Sequence, residues 1–227
     1  MSLETSFYQS GYALREGLVA PEDLAALRNE VDRLLAESDL RGGVRNALAK
    51  SPRLRGLAES EALAGPAREL LGEAARPVKL TIFDKTPGSS WKVPWHQDVT
   101  IPVREHLNVA GFGPWSVKDG VLHVQAPTAV LEQVLAVRVH LDGAAADNGA
   151  LRVLPGTHRL GRLSGDEIAA LRRELPETVC PVPAGGAMLM SPLLVHASSG
   201  SERPSHRRVL HFEYCAAPLP GGLAWAE

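Results

Sequence analysis

Apolar positions in the first third of the chain recur at helical spacing. In "APEDLAALRNEVDRLLAES", Leu24, Leu27, Val31, Leu34 and Leu35 fall on one face. Pro21 stands where a first helical residue is favoured and acids follow it, which suits a helix start. "ESEALAGPARELLG" predicts a second, shorter helix, broken or restarted near Gly65-Pro66. These leucines are read as core packing.

From Val78 the period changes from helical to alternating. "PVKLTIFDKTPG" predicts a strand running into a turn. "LEQVLAVRVHLDG" sets Val137, Val139 and Leu141 against Arg138 and His140, the pattern of a half-buried strand. "GALRVLPGTH" predicts another strand, and "SGDEIAALRREL" a short helix with Ser164 and Glu167 as a capping box. "TVCPVPAGGAMLMSPLLVHASS" predicts two short strands around an Ala-Gly-Gly turn. "HRRVLHFEYC" predicts a last strand with Val209, His211 and Glu213 alternating against Leu210, Phe212 and Tyr214. Short strands with Gly/Pro turns after a helical opening point to a sandwich or barrel with helices outside. With no repeat or linker visible, residues 1–227 read as one domain: a helical flank (1–75), then a β core (76–227). The segment Val99–Gln133 within that core is long and rich in Gly, Pro and aromatics. Its Phe112, Trp115 and Val121 argue for an ordered lid or pocket wall.

Composition narrows the function classes. A formal net charge of −2 over 227 residues gives no electrostatic reason to expect nucleic acid or an anionic membrane as partner. There is no apolar run of membrane-spanning length and no signal-peptide pattern at the N-terminus. Cys180 and Cys215 are too few for a disulfide framework and read as reduced structural thiols of a cytoplasmic protein. The oligomeric state is not legible.

Candidate chemistry centres on "VPWHQDVTIP". His96 and Asp98, at i and i+2 of an extended segment, point to the same side and can reach one metal ion. With 8 His and 26 acids in the chain, chance supplies roughly one His-x-acid pair, so context must carry the reading. His196 ends the apolar run Leu193, Leu194, Val195. Arg207-Arg208 follows 11 residues after His196, and Ser198 and Ser199 lie beside it. Two histidines and a carboxylate on one face of an octahedron leave three positions open, the arrangement of non-haem Fe(II) oxygenases. A guanidinium nearby gives an anionic cosubstrate a second, bidentate anchor.

The blocks "VPWHQD", "DNGALRVLPGTH", "MSPLLVHASSG" and "HRRVLHFEY", in that order, resemble the phytanoyl-CoA dioxygenase family of Fe(II)/2-oxoglutarate-dependent oxygenases. The opening "FYQSGYALREGLVAPEDLAAL" is similar to the family's helical start, so the likeness spans nearly the whole chain. It implies a mainly β fold with flanking helices, a distorted double-stranded β-helix or cupin-like jelly roll. It implies His96, Asp98 and His196 as iron ligands and Arg207 as partner of the C5 carboxylate of 2-oxoglutarate. Ser198 matches a position that bonds the same carboxylate, and Arg138 one that lines the cosubstrate pocket. The implied activity is hydroxylation of an unactivated C–H bond of a small molecule, consuming dioxygen and releasing succinate and carbon dioxide. Asp98 argues against a halogenating variant, which has a small residue there.

"DNGALRVLPGTH" itself reads as structural, with Gly149 and Gly156 serving turns and His158 capping or packing. Lys85, Trp91 and Trp95 before the metal strand read either as a pocket wall or as a Pro-Gly turn with aromatics sealing one end of the barrel. His123 and Gln125 alternate as on a strand and are candidates to face the pocket, as is Trp115. Two rival readings stand beside the oxygenase: a cupin-like Zn- or Mn-dependent isomerase or hydrolase, for which Arg207 is incidental, and a metal-free binding module.

Overall fold

The structure is a computed structural model and describes all residues except 1, 39, 41, 87–90, 201–205 and 227. The Pro-Gly turn expected at 87–88 lies outside the described residues. The chain opens with α1 (Leu3–Ser10), β1 (Tyr12–Arg15), α2 (Pro21–Ala36), β2 (Gly43–Val44), α3 (Ala47–Lys50), α4 (Pro52–Glu59) and α5 (Glu61–Leu71). β3 (Arg76–Lys85) and β4 (Val93–His96) follow, then β5 (Thr100–Pro102), β6 (Trp115–Lys118), β7 (Val121–Gln125) and α6 (Thr128–Leu131). The remainder is β8 (Val134–His140), β9 (Leu151–Val153), α7 (Gly165–Glu174), β10 (Thr178–Cys180), β11 (Ala187–Met190), β12 (His196–Ser198) and β13 (Arg207–Cys215).

The strands form a six-stranded sheet in the order β1-β11-β8-β13-β3-β2, a four-stranded sheet β10-β9-β12-β4 and a three-stranded sheet β5-β7-β6. All pairings are antiparallel. The first two sheets are the mainly β, helix-flanked core. The outer face of the larger one, with Leu80, Ile82, Val137, Val139, Leu210, Phe212 and Tyr214, packs against Leu24, Leu27, Val31 and Leu34 of α2 and Leu63, Ala67 and Leu70 of α5. Removing this apolar surface from water is the main force joining helices to sheet. A second apolar cluster joins the two sheets through Ala136, Leu151, Val153, Met188, Met190 and Leu194.

Two elements differ from the sequence reading. α5 runs unbroken through Pro66, and the break falls at Ser60, whose extended backbone separates α4 from α5. Pro66 removes one helical hydrogen bond, and burial of Leu63, Ala64, Ala67 and Leu70 offsets that loss. β8 is buried along its whole length rather than half-buried. Leu135, Val137 and Val139 face the helices, while Arg138 lines an interior cavity instead of meeting solvent. The capping box at Ser164 and Glu167 forms as expected. Cys180 and Cys215 are free and buried. His158 packs beneath Gly11, where positive φ and 2.5 Å from an added Cβ to His158 Nδ1 leave room only for glycine.

Residues 99–133 form an ordered sheet of their own. Ile101, Val103 and Val124 pack with Leu219, Leu223 and Trp225 near the C-terminus, and Val103 bridges Trp225.

Candidate active site

Three short pieces of backbone bring the candidate ligands together. β12 pairs antiparallel with β4 so that His196 stands opposite His96, and Asp98 follows two residues after His96. Asp98 N–H donates to Pro192 O at 2.9 Å, tying the ligand loop to the turn before β12. The three side chains offer ligand atoms all within 4.8 Å of one another. His96 Nε2 is 3.4 Å from Asp98 Oδ1, and His196 Nε2 is 3.6 Å from Asp98 Oδ2. Both rings bond through Nδ1 to backbone carbonyls, His96 to Pro94 at 2.8 Å and His196 to Leu194 at 2.9 Å. That fixes Nδ1 as the protonated nitrogen and turns the Nε2 lone pairs toward the shared point. Burial pushes His196 down to about 4, keeping it a neutral donor. Burial would raise Asp98, but His196 and the bond to His96 hold it well below the usual carboxylate range. Burial lowers His96, but the hydrogen bond to Asp98 and its charge outweigh that and raise it above the ordinary imidazole value; a cation at the shared point would take the place of that proton. Two imidazoles and an ionised carboxylate are the donor set a ferrous ion takes.

Gln97, between the candidate ligands His96 and Asp98, is not singled out by the sequence. It is buried; its amide donates to Gly161 O at 2.8 Å and Leu193 O at 2.7 Å, and its oxygen accepts from Leu163 N at 2.8 Å. These three bonds clamp the His96–Asp98 segment onto two other loops.

The triad opens onto a cavity of about 250 Å³. At one end Arg207 stands opposite Lys85 across β13 and β3. Arg207 is 2 % exposed, and its Nη1 donates to Gly149 O at 2.7 Å. Lys85 Nζ donates to Ser198 Oγ at 2.8 Å and Ser199 O at 2.6 Å, and Ser198 Oγ donates to Gly149 O at 3.0 Å. Gly149 is required here: φ is +81°, and a Cβ would lie 2.7 Å from Ser199 O. Its turn therefore braces the cationic end of the cavity. Burial, with Arg207 and Arg138 nearby, lowers Lys85 to about 7. Among the described residues, the Nε atoms of Arg207 and Arg138 are buried without hydrogen-bond partners. Unspent guanidinium donors in a cavity wall fit a carboxylate ligand. Trp91 also lines this cavity, with Lys85 Nζ 5.6 Å from its ring.

Arg138 Nη1 donates to His211 Nδ1 at 2.7 Å, and His211 Nε2 lies 3.3 Å from Glu213 Oε1 and 3.9 Å from Asp98 Oδ2. Lys79 Nζ donates to Glu213 Oε1 at 2.6 Å. Lys79, Thr81, His211 and Glu213 line the same cavity and were not singled out from the sequence. The signal was present: they share the period-2 faces of Lys85 on β3 and Arg207 on β13.

The remaining candidates lie elsewhere. Trp115, His123 and Gln125 are not among the residues lining the triad's cavity. Trp115 stacks on His106, with centroids 4.1 Å apart, and packs into the insert's own core. His123 is buried and bonds Val121 O through Nδ1 at 2.9 Å, and Gln125 Oε1 accepts from Arg162 Nη2 at 2.6 Å. Trp95 also lies outside, with the guanidinium carbons of Arg152 and Arg172 each 5.3 Å from its ring.

The model of the phytanoyl-CoA dioxygenase (PhyH) family matches residues 7–209. The chain belongs to the phytanoyl-CoA dioxygenase family. It is accordingly a non-haem Fe(II)- and 2-oxoglutarate-dependent dioxygenase. Among curated relatives, ectoine dioxygenase of Nocardia farcinica is 25% identical over 241 residues, covering 89% of this chain and 73% of the relative. L-proline trans-4-hydroxylase of Streptomyces griseoviridis is 28% identical over 181 residues, covering 67% and 59%. Among solved structures, the epimerase SnoN in complex with Fe3+, alpha ketoglutarate and nogalamycin RO superposes with a TM-score of 0.75 at 22% identity, covering 98% of this chain and 90% of that one. This likeness shows that the chain shares its cupin-like fold with SnoN. Among the described residues, no helix is long and apolar enough to cross a membrane.

Proposed function

We propose that His96, Asp98 and His196 hold the ferrous ion of this dioxygenase, that Arg207, Lys85, Ser198 and Arg138 hold 2-oxoglutarate, and that the reaction hydroxylates an unactivated C–H bond of a small molecule. The observation that carries this is the juxtaposition of a two-histidine, one-carboxylate cluster with buried guanidinium groups in one cavity. Bound iron supplies the redox chemistry that couples oxidative decarboxylation of 2-oxoglutarate, giving succinate and carbon dioxide, to substrate oxidation.

The chain's own residues do the rest. Arg207 and Lys85 meet the far carboxylate of the cosubstrate as charge-assisted donors, and Ser198 holds Lys85 in place. Gly149, through its carbonyl, fixes the Arg207 fork before ligand arrives. Arg138 adds charge between this end and the triad. The apolar walls from Phe83, Val93 and Leu151 limit water beside the reacting centre. A cavity of about 250 Å³, at or below the low end of small-molecule sites, favours a compact substrate. Two relatives are named for small molecules, ectoine and L-proline.

The test is anaerobic addition of 2-oxoglutarate to the Fe(II)-loaded protein. A weak visible charge-transfer band that disappears in Arg207→Ala supports the assignment. A band of unchanged affinity in that variant refutes the anchor, and no band in the unaltered protein refutes the site. Candidate substrates are then screened by stimulation of succinate release.

A further inference from the structure

The cavity has a second polar end, and the cosubstrate does not account for it. Arg207 and Glu213 lie six residues apart on β13, about 20 Å along the strand. Lys85 and Lys79 stand opposite them on β3. His211 lies between these ends, and its Nε2 is 3.9 Å from Asp98 Oδ2, so the triad divides the cavity. A five-carbon diacid anchored at Arg207 and reaching the triad occupies the Arg207 side. The Glu213 side is left for substrate.

Glu213 is 3 % exposed yet lines the cavity. Its Oε1 takes both Lys79 Nζ and His211 Nε2. Its Oε2 accepts no hydrogen bond among the described residues. A carboxylate oxygen on a cavity wall can take a further donor, and a cationic N–H is the strongest one. The charge balance adds a second demand. Lys79, Lys85, Arg138 and Arg207 outnumber Asp98 and Glu213 by two among the lining residues. A ferrous ion and a dianionic cosubstrate cancel one another, so the loaded cavity stays positive and favours a substrate that also carries an anion.

Building on the cosubstrate placement above, we propose that Glu213 is a substrate-binding residue and that the substrate is a small amino-acid-like zwitterion whose protonated nitrogen is held by Glu213. Lys79 and His211 keep the carboxylate ionised and fix its direction, as positioning residues. Burial would raise Glu213, and Lys79 and the His211 bond outweigh it.

The experiment uses the full chain loaded anaerobically with Fe(II) and 2-oxoglutarate, and reads binding by calorimetry beside succinate release in air. The probes are the proteinogenic amino acids, their deamino acids and their decarboxylated amines; L-proline, cyclopentanecarboxylate and pyrrolidine form one such trio. Binding and stimulated succinate release confined to amino acids are expected. In Glu213→Gln the affinity for the active amino acid falls roughly 10- to 100-fold, and its advantage over the deamino acid collapses. Lys79→Met/Glu213→Gln removes both charges, strands neither, and shows the same collapse if the single variant does not fold. The proposal is overturned if deamino acids bind or stimulate as well as amino acids, if no amino acid binds, or if the variants lose 2-oxoglutarate affinity in parallel. Absence of the Fe(II)–2-oxoglutarate band in the unaltered protein is a separate failure, that of the cosubstrate site itself.

Discussion

His96 and His196 face one another across an antiparallel strand pair, with ring centroids 4.2 Å apart. Residues a hundred positions apart in sequence thus share one register position, and Asp98 needs only the next bend of the chain to reach both. Each ring is oriented by its own strand, through an Nδ1 bond to the carbonyl two residues earlier. The triad is therefore set by backbone geometry before any ion binds.

Asp98→Ala leaves two neutral imidazoles without the anionic donor. Loss of an outer partner alone costs such sites about 10–100-fold, so loss of the ligand should exceed about 100-fold in iron-dependent succinate formation. The far-ultraviolet circular dichroism spectrum stays as in the unaltered protein. Unchanged turnover would remove Asp98 from the ligand set.

Gln97→Ala breaks three buried hydrogen bonds and leaves two carbonyls and one N–H unsatisfied. A loss of about 2–3 kcal/mol in unfolding free energy is expected, together with weaker iron retention in a chelator challenge. A chelator half-life equal to that of the unaltered protein would mean the clamp does not position the ligands.

Lys85 carries a pH dependence. Its folded value of about 7 lies below the ordinary 10.5, chiefly through burial and then through Arg207 and Arg138. The ligand-free folded state thus binds fewer protons than the unfolded chain, and this group makes stability rise with pH between about 7 and 10.5. A dianion arriving beside it favours the protonated form, so cosubstrate binding above pH 7 takes up a proton and weakens as pH rises. Calorimetry at pH 8 in two buffers of different ionisation heat measures the uptake. Lys85→Met should abolish it, and no uptake in the unaltered protein contradicts the pairing.

Trp115→Ala tests the insert. Half-buried against His106 and the insert's core, Trp115 should contribute about 1–3 kcal/mol to stability. The KM values for 2-oxoglutarate and substrate should not change, because Trp115 does not line the cavity. A raised substrate KM with an unaltered denaturation midpoint would restore it as a pocket wall.

Much of the site was legible in single stretches. The spacing of His96 and Asp98, the apolar run ending in His196 and the cation opening β13 each announced chemistry locally. Lys85 and Trp91 fell in the cavity, where one reading of "DKTPGSSWKVPW" put them. The lysine–glutamate end was not legible, since Lys79 and Glu213 are 134 residues apart and each resembles an ordinary polar strand position. Trp115, His123 and Gln125 do not line the triad's cavity. The alternation of His123 and Gln125 announced a strand, β7, but a strand's two faces carry no label for which cavity, core or neighbour they will meet.

The sequence by itself pointed to the helical flank, most of the strands and the three side chains that cluster, His96, Asp98 and His196, because period, capping and residue spacing are properties of neighbouring residues. Only the tertiary structure decided that the polar faces of β3, β8 and β13 meet at one cavity. Helices cover the opposite faces of those strands, and closing one sheet over the other leaves the polar sides no outlet but the interior.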